Sequence, residues 1–158
     1  MRVSVQEADF DVGAETEALA AGRAYVGAVA SFVGYVRADK LAGESAAEQA
    51  VSAMTLEHYP GMTEKSLEAI VAEAESRWSL LGVRVIHRFG RLVPGDRIVF
   101  VGVAGSHRGE AFAACEFIMD YLKTRAPFWK KEDTPEGGRW VDAREADDAA
   151  AEKWGKGA

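Results

Sequence analysis

An α+β domain is expected from three features of the chain. Amphipathic helical spacing is interleaved with short, turn-bounded apolar runs, and Pro94-Gly95 sits where a tight turn would close a hairpin. No regular strand–helix–strand rhythm points to a doubly wound parallel sheet. The expected architecture is therefore antiparallel strands and hairpins with amphipathic helices in a single domain. With 158 residues, 48% apolar and 28% charged, the chain can bury one ordinary core.

Each element has a local reason. Val3 and Val5 alternate with polar residues as a short first strand, and residues 11–21 suit a helix that Asp11 can cap. Residues 26–36 (VGAVASFVGYV) read as a long, largely buried strand. Residues 38–50 (ADKLAGESAAEQA) have no apolar period and read as a loop, followed by a second long strand over 51–58. After the break at Pro60-Gly61, Thr63-Glu64 marks a helix start. Leu67, Ile70, Val71, Ala74, Trp78 and Leu81 share one face of that helix, and Gly82 offers a left-handed stop. Residues 83–92 and 97–104 flank Pro94-Gly95-Asp96 as an antiparallel hairpin. A further helix over 109–124 is expected to bury Phe112, Cys115, Ile118, Met119 and Leu122. It ends near Arg125, because Pro127 drives Ala126 out of helical geometry. Short strands are expected at 128–132 and 139–141. From Asp147 the chain is rich in Ala and charge and reads as a loosely held polar tail, so the division is a domain over 1–146 and a tail over 147–158.

Composition excludes several classes of function. A net charge of −6 argues against a general binder of nucleic acid or anionic membranes, which needs positive charge to displace counterions. A single cysteine, Cys115, makes neither an internal disulfide nor a thiolate metal site. No apolar run reaches 18 residues and MRVSVQEADF lacks a signal-peptide core, so a soluble, cytoplasmic location is expected. Neither GxxxxGK[ST] nor GxGxxG is present, and GSHRG is not a nucleophile elbow. His58, His87 and His107 lack metal-ligand spacing, and no metal or cofactor is expected.

The informative feature is a local reversal of charge. Residues 123–131 (KTRAPFWKK) carry Lys123, Arg125, Lys130 and Lys131 without an acid, which is +4, leaving −6 − 4 = −10 on the other 149 residues. A concentrated cationic segment on an acidic protein suits one specific anion or an acidic partner, and Phe128 and Trp129 could wall such a pocket. The bland alternative is a helix C-terminus whose basic residues are favoured by the macrodipole and simply solvated. A third reading, stacking and phosphate contact with a single-stranded nucleic acid, is weakened by the −10 elsewhere. A second cluster, Gly105-Ser106-His107-Arg108, precedes a helix and suits an anion, or is an ordinary helix start capped by Ser106. Arg37, where the strand over 26–36 meets its loop, is a third candidate. Cys115 lies on an apolar helix face, where thiols are usually inert.

Taken together, GAVASFVGYVR (27–37), LEHYPGMTEKSL (56–67), HRFGRLVPGD (87–96), the run from Gly105 to Glu132 (GSHRGEAFAACEFIMDYLKTRAPFWKKE) and GRWVDAR (138–144) closely resemble the catalytic large subunit of molybdopterin synthase. The resemblance runs over most of the chain, in order, although residues 38–50 are longer and richer in Ala and acid than the family pattern. It implies an α/β-hammerhead fold and a homodimer within a heterotetramer. Each copy would bind a small ubiquitin-like partner, whose thiocarboxylated C-terminus delivers sulfur to cyclic pyranopterin monophosphate. Two transfers build the dithiolene of molybdopterin, the ligand that later holds molybdenum. By that likeness Lys123 and Lys130 are catalytic, and Arg37, His107 and Arg108 hold the substrate. Tyr35, Val36, Lys131 and Glu132 lie along the same pocket, and Arg144 reaches the site of the neighbouring subunit.

Elementary chemistry agrees with that assignment. A cyclic phosphate and a thiocarboxylate at 4 Å repel by roughly 4 kcal/mol at an intermediate dielectric, so their encounter needs fixed cations. Guanidinium groups suit the phosphate, and a lysine in a crowded cationic site can also move a proton. Two alternatives stay open on sequence grounds: a non-catalytic module that docks a ubiquitin-like tail, and a single-strand nucleic-acid binder.

Overall fold

The computed structural model describes residues 2–38, 53–134, 137–141 and 145–155. Most of the expected loop over 38–50, the first residues of the expected strand over 51–58, and Arg144 lie outside the described residues.

Two four-stranded sheets organise the chain. The first has the order β1-β4-β6-β2, formed by Val3–Gln6, Leu80–Arg88, Arg97–Gly105 and Ala28–Tyr35. Its β1–β4 pair is parallel and the others are antiparallel. The second has the order β5-β3-β7-β8, formed by Gly90–Leu92, Ala53–His58, Phe128–Thr134 and Gly137–Val141, antiparallel throughout. Helix α1 (Val12–Ala20) covers one face of the first sheet, and α2 (Met62–Arg77) and α3 (Arg108–Arg125) cover the other. This is the expected α+β architecture.

The central strand β6 explains its own composition. Val99, Val101 and Val103 face α2 and α3 in the main core, while Phe100 joins Phe10 and Ile86 on the α1 side. Burial on both faces requires an unbroken apolar run. A smaller cluster of Val36, Met54, Leu56 and Leu92 joins the second sheet to the end of β2.

Local chemistry sets the boundaries. Asp11 Oδ1 accepts from the Ala14 N–H at 2.9 Å and caps α1, as expected. At the Pro94-Gly95-Asp96 turn Gly95 has φ +95°, and the Val93 N–H donates to Asp96 Oδ2 at 2.9 Å. The hairpin around it holds for β4 and β6 but not for 90–92. Gly90, at φ +92°, turns the chain out of the first sheet, and β5 pairs with β3. A residue with a Cβ is strained in that conformation, so the switch of sheet is written at Gly90.

Three further expectations are corrected. The helix over 63–81 ends at Arg77. Trp78 is extended at φ −131°, and its ring meets Phe117 edge-on at 5.4 Å, so it packs half-buried against the core without helical phase. Leu80 and Gly82 then belong to β4. Gly82 does not have positive φ, and a Cβ there would lie 2.5 Å from the Arg23 guanidinium. Phe112 is 64% exposed, because Ala111, Ala114, Cys115 and Ile118 take the core face of α3 and leave it outside. The tail is not loose where it is described. Glu145–Glu152 forms α4, and Trp154 closes against Trp78 and Phe117 at 5.6 Å each, its Nε1 donating to Asp120 at 2.6 Å. One tryptophan anchors a segment whose composition is otherwise polar.

Candidate active site

The basic segment comes apart when it folds. Lys123 and Arg125 occupy the last turn of α3, Ala126 caps it in extended geometry, and Phe128 opens β7. Thr63 pins this bend. Its buried Oγ1 donates to the Pro127 carbonyl at 3.0 Å and accepts from the Tyr59 N–H at 3.0 Å. Thr63 is thus a joint between α2 and the segment, not a helix cap. Arg125 lies 3.7 Å over the Tyr121 ring and 4.0 Å from Glu73, which turns it toward α2.

Along β7 the two-residue period divides the remaining groups. Lys130 pairs in register with Leu56, and Phe128 with His58, on the face toward the first sheet. Trp129 and Lys131 point the other way, exposed, with Lys131 Nζ 5.9 Å from the exposed Trp140 ring. Phe128 therefore walls the interior, whereas Trp129 does not. A run that divides between two faces and a helix also lacks the single lined track expected of a single-strand binder.

The inner face converges on a histidine that sequence reasoning did not single out. His87, 4% exposed on β4, stacks on Phe128 with ring centres 3.7 Å apart and planes 19° from parallel. Its Nδ1 lies 2.8 Å from the Arg88 carbonyl. Burial pushes its pKa down to about 3, and the positive fields of Lys130, Lys123 and His58 act in the same direction against the Arg88 hydrogen bond. The charges of Lys123 and Lys130, from different elements, thus both act on one neutral, buried ring. Lys123 is exposed and Lys130 half-buried, which suits groups that meet a ligand arriving from solvent. The signal for His87 was its place in the alternation Val83, Val85, His87, which reads as core until the lysines are seen beside it.

The remaining candidates fall at two ends of the molecule. Tyr35 ends β2, and Val36 is buried with Leu56, the register partner of Lys130. The Val36 N–H donates to the Asp96 carbonyl at 2.9 Å and its carbonyl accepts from Gly95 at 2.9 Å, which brings exposed Arg37 to the second-sheet end. Glu132, half-buried on β7, pairs in register with Met54 on the same face as Lys130. His107 and Arg108 are elsewhere. His107 is the extended residue that begins α3, without a side-chain cap, so the Ser106 cap is not formed. Fifteen residues of continuous helix put about 22 Å between Arg108 and Lys123. Gly27 fixes this opposite end: its N–H donates to the Gly105 carbonyl at 3.0 Å, and a Cβ on it would sit 2.1 Å from the Ser106 carbonyl oxygen.

Cys115 is buried on α3 with its Sγ 3.7 Å from the Val101 carbonyl, and burial followed by the neighbouring Glu116 pushes its pKa up to about 11. No helix among the described residues is long and apolar enough to cross a membrane.

Comparison with known proteins gives the same residues a context. The family model described as MoaE protein matches residues 5–125. A molybdopterin synthase catalytic subunit from Ralstonia nicotianae is 62% identical over 153 residues, covering 97% of this chain and 84% of the relative. Among solved structures, a molybdopterin biosynthesis MoaE protein from Burkholderia ambifaria superposes with a TM-score of 0.80 at 56% identity, over 98% of this chain and 97% of that one. A molybdopterin synthase from Staphylococcus aureus gives 0.77 at 28% identity, over 88% and 96%. With its fold and a match spanning most of its length, the chain belongs to the MoaE family of molybdopterin synthase catalytic subunits, sulfurtransferases of molybdenum cofactor biosynthesis.

Proposed function

We propose that sulfur transfer takes place at the Lys123–Lys130 centre, from the thiocarboxylated C-terminus of a small ubiquitin-like subunit to cyclic pyranopterin monophosphate, in the cytoplasm. The carrying observation is that the positive charges of two lysines from separate elements both act on one buried, uncharged His87. Their positive charge offsets the repulsion between the two anionic reactants. Lys123 stabilises negative charge on the tail's carbonyl and on the intermediate that follows sulfur attack, and Lys130 holds the substrate or the departing oxygen. Arg37, at the same end, donates paired hydrogen bonds to the cyclic phosphate. Tyr35, Val36, Lys131 and Glu132 border the path of the tail. Cys115 takes no part, since sulfur arrives on the partner.

The positions of His107 and Arg108 support a homodimer. They lie at the far end of α3 from Lys123 in their own chain, so their role in substrate binding calls for a second copy. A two-fold axis crossing the middle of α3 exchanges its ends and brings Arg108 of one copy toward Lys123 of the other. The same axis exchanges the ends of β2, whose outer edge pairs with no strand among the described residues. Exposed Phe32 on β2 and exposed Phe112 on α3 lie along that side. We assign the partner copy's Arg144 to the same composite site. Two such chains with two carrier subunits make the heterotetramer, the relatives' designation as catalytic subunits itself implying another subunit.

The test is reconstitution with the pyranopterin precursor and a thiocarboxylated carrier, with an ordinary-carboxylate carrier as control, reading molybdopterin as its fluorescent oxidised derivative. Product is expected only with the thiocarboxylate. Lys123→Ala should lower turnover by at least about a thousandfold while carrier affinity is retained. Normal turnover in that variant, or loss of the carrier, would remove Lys123 from the chemistry. A stable complex that makes no product would favour a docking module.

A further inference from the structure

The two lysines lie on either side of the bend that joins α3 to β7, and what holds the bend decides where Lys130 projects. Phe128 and Lys130 lie on the same face of β7, two residues apart, so a fixed Phe128 ring fixes the strand that carries the ammonium. His87 supplies the fixing surface. It is locked in β4 between Val5 and Val99, lies 4% exposed, and stacks nearly parallel on Phe128 at 3.7 Å. The Arg88 carbonyl only accepts, so Nδ1 carries the proton and the ring is neutral with a bare Nε2.

A charged side chain would serve worse. A carboxylate here would pair with the lysines and cancel the charge that the anionic reactants need, and another cation would repel them. An aromatic ring that stays uncharged can brace Lys130 without altering the charge of the site.

Resting on the two-lysine reading above, we propose that His87 is a positioning residue for sulfur transfer: its flat face, stacked on Phe128, sets the place of Lys130 relative to Lys123. The burial that pushes its pKa down keeps this brace neutral across the working pH range.

The experiment compares His87→Leu, which keeps apolar volume and loses the flat face, with His87→Phe, which keeps both volume and stack. Each is measured for kcat, for the KM of the pyranopterin precursor and for carrier affinity, alone and combined with Lys130→Ala. His87→Leu is expected to lower kcat/KM by about tenfold or more with carrier affinity within twofold, and His87→Phe to recover most of that loss. Because His87 acts through Lys130, adding His87→Leu to Lys130→Ala should lower activity less than twofold further. Equal activity in the Leu and Phe variants would overturn the proposal, as would a full additional tenfold loss in the double variant. If His87→Leu does not fold, His87→Phe and His87→Tyr carry the same comparison: both must retain near-parent turnover, and a tenfold loss in both overturns the proposal. If Lys123→Ala and Lys130→Ala turn over normally, the two-lysine site itself fails. If they are inactive while His87→Leu is unaffected, only the bracing role fails.

Discussion

A histidine buried without charge leaves a mark on stability as well as on the site. In the unfolded chain His87 titrates near its ordinary value of about 6.5, whereas in the fold it titrates at about 3. Between those values the unfolded chain holds a proton that the folded chain does not, so acid favours unfolding. The contribution is complete above pH 6.5 and is lost as pH falls toward 3, at about 1.4 kcal/mol per unit. Urea unfolding should therefore show a loss of about 2 kcal/mol between pH 6.5 and 5. Asp9, held below the carboxylate range chiefly by its hydrogen bond from Arg97, adds acid sensitivity of the same sign lower on the scale. His87→Phe isolates the histidine share, and an unchanged pH slope in that variant would contradict it. Cys115 gives the opposite kind of prediction: with its thiol at about 11 and buried, native protein at pH 8 should resist iodoacetamide, and Cys115→Ala should turn over within about twofold of the parent. At this scale the sequence was uneven. Lys123 and Lys130 stood out because four cations interrupt an acidic chain, while His87 was hidden because a buried histidine continues a strand's apolar alternation.

Several element boundaries were legible where one residue's own chemistry decides them, though the sheet switch at Gly90 was not. Asp11 capped α1, Pro127 ended α3 and Gly95 closed its turn, each through a property of that residue alone. They were misread where tertiary contact decides. Trp78 satisfied a helical period and yet is extended, because its ring packs edge-on against Phe117 and Trp154 in that geometry, and Gly82 is small to admit Arg23. The alternation of Trp129 and Lys131 away from Lys130 follows from β7 being a strand, which the charge run concealed. Gly27 is the element-scale position with a functional consequence. Its missing Cβ leaves room for the Ser106 carbonyl at the start of α3, so Gly27→Ala must push the His107–Arg108 segment outward. The expected cost is about 1–3 kcal/mol in stability. The KM for the pyranopterin precursor should rise several-fold with kcat little changed, since the lysines lie at the other end of α3. A thermal melt and a substrate titration check both parts, and a kcat loss without a KM change would place His107 and Arg108 elsewhere in the mechanism.

For the molecule as a whole, the decisive quantity is the length of α3. About 22 Å between Arg108 and Lys123 exceeds the reach of both side chains toward one small substrate, so a site using both must draw them from two chains. That requirement can be tested without a structure of the dimer. Lys123→Ala and Arg108→Ala homodimers should each be nearly inactive, because every site lacks one group. Mixed and allowed to exchange subunits, half of the dimers become hybrids, and in each hybrid one site carries both substitutions while the other carries neither. Activity should then rise to about a quarter of the parent value, set by the statistics of two-fold assembly. Substitutions that fall in the same site, such as Lys123→Ala with Lys130→Ala, should give no recovery on mixing, because every site in every hybrid still lacks a lysine. Recovery in the first mixture and not in the second would assign Arg108 to the opposite chain from Lys123 and Lys130. Failure of both mixtures despite verified exchange would confine the chemistry to one chain, with His107 and Arg108 serving the folded end of α3 rather than the substrate.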